Sequence, residues 1–256
     1  MALSPDPMPS GPTLGELVES LLGAVLFASA FLFGRRVAGA RGLVNDARLL
    51  VSLGAGMSAA YVFVHVLPGL ADLRMASIES ATVPMPFHGR ALYLLALLGF
   101  LVFYTLDNVS SRLSRSGADL PSRVALWLNV VGFAAYAWLL SYLLLHHFQE
   151  GASSMLLFAI AIALHLFGVD HGLHARHGAG YERFGRRVIA AACLAGWVSG
   201  ALFTLPQDVL AFVVAFIAGA VIMNSSIMEL PEGRDMRVIP FLGAGLAYGA
   251  LLLTLH

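Results

Sequence analysis

Eight stretches without an acidic or basic side chain, histidine apart, divide this chain: residues 20–34, 49–71, 91–106, 124–149, 151–169, 188–207, 209–228 and 238–256. Crossing about 30 Å of hydrocarbon takes about 20 apolar residues. Most of these runs meet that length. The first extends back to Leu14, taking Glu16 and Glu19 into the interface, and the third extends forward through Asp107. In lipid every backbone N–H and C=O must be satisfied within the segment, so such runs are helices. Apolar residues make up 59% of the chain and charged residues 12%, with a mean hydropathy of +0.81. Soluble domains carry about 25% charge, and one of this size has no way to hide so much apolar surface. The expected architecture is an all-α integral membrane protein with about eight transmembrane helices. Residues 1–13 read as an exposed tail and 14–256 as a single transmembrane domain.

The placement of arginine orients the bundle. The chain has no lysine, and thirteen of its fifteen arginines fall in the loops after spans one, three, five and seven. Only Arg74 and Arg90 fall on the other side. Arginine is retained in the cytoplasm, so the odd loops are expected inside and both termini outside. The expected location is the cell membrane, the inner one where a cell has two. A net charge of zero points to no nucleic acid. The one cysteine, Cys193, lies in an apolar run and has no internal partner for a disulfide. Gly196 with Gly200, and Gly245 with Gly249, have the spacing that lets helices approach closely.

Ionisable side chains inside a membrane are costly and mark function by default. His165 stands in the middle of span five among Ala163, Leu164, Leu166 and Phe167. Its imidazole reads as a metal ligand or as a hydrogen-bond partner of a neighbouring helix. Asp170, His171, His174 and His177 follow it. Residues three and four apart share a helix face, so Asp170, His174 and His177 are expected to converge, as a divalent-ion site or as a polar helix end. Gly178 to Gly180 should end that helix. His65, three residues before Pro68 in span two, reads as an interfacial cap or an entrance ligand, and His146 and His147 as interfacial. Asn129, Asn224, Ser225 and Ser226 are accounted for by hydrogen bonds between helices. Glu229 and Glu232 flank Pro231 at the end of span seven. The chain contains no phosphate-binding glycine loop, paired-cysteine zinc motif or nucleophile elbow, and it is not expected to be an enzyme.

Span two runs from the glycine-rich Gly54-Ala-Gly-Met-Ser-Ala-Ala to His65-Val-Leu-Pro68, and span seven runs from Ala218-Gly219 to Glu229-Leu-Pro231-Glu232. On these residues the chain resembles the ZIP family of divalent metal transporters, as a divergent bacterial-type member. The resemblance implies eight helices with both ends outside, a homodimer, and a metal centre on spans four and five. Of the family's ligand motifs, Asn129 and His165 match, while Leu166 and Val169 stand where further ligands are expected.

The resemblance implies a carrier moving a divalent metal ion, zinc foremost, into the cytoplasm. The ion is cargo, and no prosthetic group is expected. Its path would run from His65 to His165 and out past Asp170, His171, His174 and His177, with Asn129 beside it. Spans two, four, five and seven should enclose a shared polar axis, with His165 facing Asn129 and the Asn224 region. The alternative is a non-transporting membrane scaffold or metal sensor of the same fold, and an intramembrane metal-dependent hydrolase ranks last.

Overall fold

The structure, a computed structural model, describes residues 13–39, 47–79, 90–115, 119–146, 152–225 and 237–254. Among them there is no strand. The elements are α1 (Leu14–Gly39), α2 (Ala47–Tyr61), a π turn (Val62–Val66), α3 (Leu67–Glu79), α4 (Ala91–Arg115), α5 (Asp119–His146), α6 (Ala152–Gly180), a second π turn (Tyr181–Gly185), α7 (Arg186–Leu202), α8 (Gln207–Met223) and α9 (Val238–Leu253). The tail expected over 1–13 lies outside the described residues except for Thr13. So do the turn around Gln149 and Glu150 and the segment carrying Ser226, Glu229, Pro231 and Glu232.

Local chemistry accounts for the ends and breaks. Thr13 opens α1 with a reciprocal capping box: its amide donates to Glu16 Oε2 at 2.7 Å, and the Glu16 amide donates to Thr13 Oγ1 at 3.3 Å. The π turn in the second span precedes Pro68, which has no N–H and whose ring crowds the preceding turn. The ladder widens there, and the Leu67 amide bonds the Val62 carbonyl five residues back. Pro206 separates α7 from α8. Tyr142 closes that corner, its hydroxyl donating to the Phe203 carbonyl at 3.1 Å and accepting from the Leu205 amide at 3.0 Å.

Among the described residues, five stretches are long and apolar enough to cross a membrane: Leu14–Phe33, Ser52–Asp72, Ala91–Arg115, Asp119–Leu145 and the 45-residue Phe158–Leu202. Asp208–Met223 and Val238–Leu253 are shorter apolar helices. As a straight rod the 45-residue stretch would be about 68 Å long. It is not straight. Gly178 has φ 53° and ψ −131°, a conformation open to glycine. Asp170 then reaches Arg186 at 3.1 Å, whereas sixteen residues of straight helix would separate them by about 24 Å. The chain folds back at Gly178, where a helix end was expected.

Close helix pairs depend on missing side chains. Helix α4 packs on α8, α5 on α7, α2 on α9, and α1 on both α6 and α7. A Cβ on Gly219 would run into the Ala96 carbonyl oxygen of α4, and one on Gly196 into the Trp138 carbonyl of α5. Gly245 lies against Gly56, and Gly200 against the Tyr142 carbonyl, so the small-residue steps read in the sequence do lie at helix contacts. Gly219→Val is therefore expected to push α4 off α8 and cost at least about 1–3 kcal/mol. Gly172→Ala, with nothing within 4 Å of the added atom, is expected to leave stability unchanged or slightly raised. Thermal unfolding in detergent compares them, and equal melting of the two variants would refute this packing.

Large apolar side chains face outward from α4 and α9. On α4, Leu94, Leu97, Leu98, Leu101 and Val102 are all exposed, and on α9 so are Ile239, Leu242 and Leu246. Water disfavours a continuous belt of this kind, whereas a bilayer solvates it.

Candidate functional site

Four segments deliver polar side chains to one buried level. His165 of α6 is 1% exposed. Its Nδ1 is hydrogen-bonded to Ser58 Oγ of α2 at 3.1 Å, and its Nε2 to Tyr136 OH of α5 at 3.1 Å. Ser58 Oγ also shares a hydrogen bond of 2.5 Å with Ser225 Oγ, just beyond α8. Imidazole, phenol and two hydroxyls thus form one chain, Tyr136–His165–Ser58–Ser225, linking the second, fourth, fifth and seventh expected spans. Each ring nitrogen meets a hydroxyl, which can serve as donor or acceptor, so the chain accommodates either neutral tautomer.

One helical turn away along each of the four segments lies a small cavity. Its lining includes Tyr61 and His65 of the second span, Leu140 and Leu143 of α5, Phe158 and Ile162 of α6, and Ile217 and Val221 of α8. Its volume is about 60 Å³, enough for a few waters. The cavity lies C-terminal to the polar level along α2 and α5, and N-terminal to it along α6 and α8. The two pairs therefore run in opposite directions, and Tyr61, Leu140, Ile162 and Val221 form an apolar layer between cavity and polar level. His65 sits in the π turn, half-buried at the cavity wall, its ring stacked on Tyr61 with centroids 5.0 Å apart. π turns recur at functional sites because they turn side chains off the regular helical face.

The residues after His165 separate instead of converging. Asp170, 1% exposed, accepts from Tyr181 OH at 2.8 Å and pairs with Arg186 at 3.1 Å. His177 Nε2 meets Asn129 Nδ2 at 2.9 Å, and Asn129 also donates to Ser110 Oγ of α4 at 2.7 Å. His174 Nδ1 lies 3.6 Å from Glu182 Oε1, an ion-pair distance. His171 is exposed. Asp170, His174 and His177 do share one face of α6, but seven residues spread them over about 10 Å, and each level has its own partner, from the returning chain for Asp170 and His174 and from α5 for His177. Arg176 pairs with Asp107 of α4. Among the described residues no group of three or more His, Cys, Asp or Glu side chains is placed to hold a metal ion.

His165 faces Tyr136 rather than Asn129, which lies seven residues, or about two turns, earlier in α5. Ser58 and Tyr136 as its partners, with Ser225 behind Ser58, are not apparent from composition or spacing, because hydroxyls at helix-packing positions are common in membrane bundles. Asn224 also departs from expectation. Its side chain is fully buried, and neither amide atom has a hydrogen-bond partner among the described residues. The side chains of His146 and His147 lie outside the described residues. No family model matches the chain, and no curated protein matches it.

Proposed function

We propose that this chain is a ZIP-like membrane carrier that moves a divalent metal ion, zinc foremost, into the cytoplasm. The observation that carries the reading is the buried level of Ser58, Tyr136, His165 and Ser225 lying one turn beneath the His65 cavity. Polar groups near the middle of discontinuous membrane helices, closed off by a thin apolar layer, suit alternating access. Neutral donors with one imidazole bind an ion weakly enough to release it, which passage requires. His65 supplies an entrance ligand. Asn129, Asp170, His171, His174 and His177 line the exit in this reading. The carrier is not an enzyme and works as a homodimer in the cell membrane.

The chain crosses eight times in this reading, the fold-back at Gly178 making two passes of the 45-residue stretch, with both termini outside. A cysteine at Ser114, introduced after Cys193→Ser, is expected to stay unlabelled by an impermeant maleimide on intact cells and to label after permeabilisation. Labelling without permeabilisation would refute the orientation.

A second reading has its own support. Both nitrogens of His165 are already satisfied by hydroxyls, as in a structural histidine of a non-transporting scaffold or sensor. Ion influx into proteoliposomes separates the two. The carrier is expected to move zinc, or one of iron, manganese, cobalt and cadmium, above the leak of empty vesicles. Influx at the leak rate for all five would favour the scaffold.

A further inference from the structure

We propose that Asn224 is a cation ligand of the buried polar level, completing with Ser225, Ser58 and His165 a site for a partly hydrated divalent first-row ion. The proposal rests on the carrier reading. Asn224 is 0% exposed, yet both its Oδ1 and Nδ2 lack a hydrogen-bond partner among the described residues. A buried amide left in that state is costly, and native proteins resolve it with a water, an ion or a ligand.

Its position indicates which. Ile217 and Val221 line the His65 cavity, and Asn224 follows them by seven and three residues, on the same stripe of the helix. The adjacent Ser225 bonds Ser58, which bonds His165. The orphaned amide therefore lies at the level of the hydroxyl–imidazole chain, beneath the apolar floor of the cavity.

The donors also set the class of ligand. An amide oxygen, two hydroxyl oxygens and one imidazole nitrogen form a mixed oxygen–nitrogen set, suited to zinc and its first-row neighbours. None of Ser58, Tyr136, His165, Asn224 and Ser225 carries a formal negative charge when the imidazole is neutral. With no carboxylate to offset a bare dication, the ion keeps water in its shell. That water sits at the polar level itself, where Asn224 Nδ2 donates to it while Oδ1 faces the ion; the cavity of about 60 Å³ lies one turn away, across the apolar layer.

Cobalt(II) titrated into the full-length protein in nanodiscs, followed by visible absorption, tests the assignment. Wild-type protein is expected to bind one equivalent per chain. Asn224→Leu, which keeps the volume and removes the donors, is expected to weaken binding by about tenfold or more. Asn224→Asp keeps the oxygen, adds a charge and is expected to bind more tightly than wild type. A merely structural amide predicts no gain from aspartate. Binding by Asn224→Leu within about twofold of wild type would overturn the assignment, and would leave the carrier reading standing where His165→Ala loses the signal. If wild-type protein gives no signal, both fall. If Asn224→Leu does not fold, the aspartate variant decides: tighter binding than wild type upholds the ligand role, and unchanged or lost binding refutes it.

Discussion

Arg186→Leu is expected to destabilise the folded chain by about 3–5 kcal/mol, the cost of stranding one member of a buried ion pair. Asp170 has 2% of its side chain exposed and Arg186 13%, so neither charge has water to fall back on. The pair also holds the fold-back: it ties α6 to the start of α7 across Gly178 and the π turn. Tyr181 OH donates to the same carboxylate but cannot neutralise it. Asp170→Leu alone is expected to cost a similar amount, by leaving the guanidinium unpaired. The double variant Asp170→Leu/Arg186→Leu is expected to recover most of the loss, because an apolar pair of similar size replaces an ionic one at little net cost. Thermal unfolding in one detergent, run on all four proteins, reads the coupling. Losses that simply add in the double variant would show that the two side chains do not act as a pair.

His165→Ala is expected to reduce zinc influx by at least about 100-fold, a larger effect than the 10–100-fold typical of residues that only support a ligand. It is the only nitrogen donor of the polar chain, and its α6 neighbours at this level, Leu164 and Leu166, offer no substitute. Tyr136→Phe keeps the ring that packs against Phe103 and Phe133 and removes only the hydroxyl. Its expected effect is therefore smaller, about tenfold. His174→Ala should have less effect than either, because His174 is partly exposed and lies outside the chain of hydrogen bonds that holds His165. Initial rates in proteoliposomes at equal protein density provide the comparison. Influx by His165→Ala at the wild-type rate would place the path elsewhere.

Charge spacing alone located most of the helices. The runs between charges foretold α1 back to Leu14 and a break beside Asp208, and Gly178 to Gly180 foretold a helix end, because charges and glycines act locally. Helix rotation is set by packing, which explains what the sequence left unread. The step from Asp170 to His174 to His177 defines a face of α6, but nothing in it states that Arg186, Glu182 and Asn129 come to meet that face one by one. The same holds for His165. Its depth in an apolar run marked it as significant, whereas the pairing with Ser58 and Tyr136 depends on how α2 and α5 are turned. Asn224 was accounted for as a helix-to-helix hydrogen bond, the commonest fate of a membrane asparagine. Its two unpartnered amide atoms emerge only when the neighbouring side chains are in place.

Zinc K-edge absorption spectroscopy on the loaded protein tests most directly whether a metal ion occupies the His165 level. The account predicts a first shell of oxygen and nitrogen at about 2.0–2.2 Å, containing an imidazole contribution that disappears in His165→Ala. A sulfur shell, or an imidazole contribution unchanged by that substitution, would contradict it.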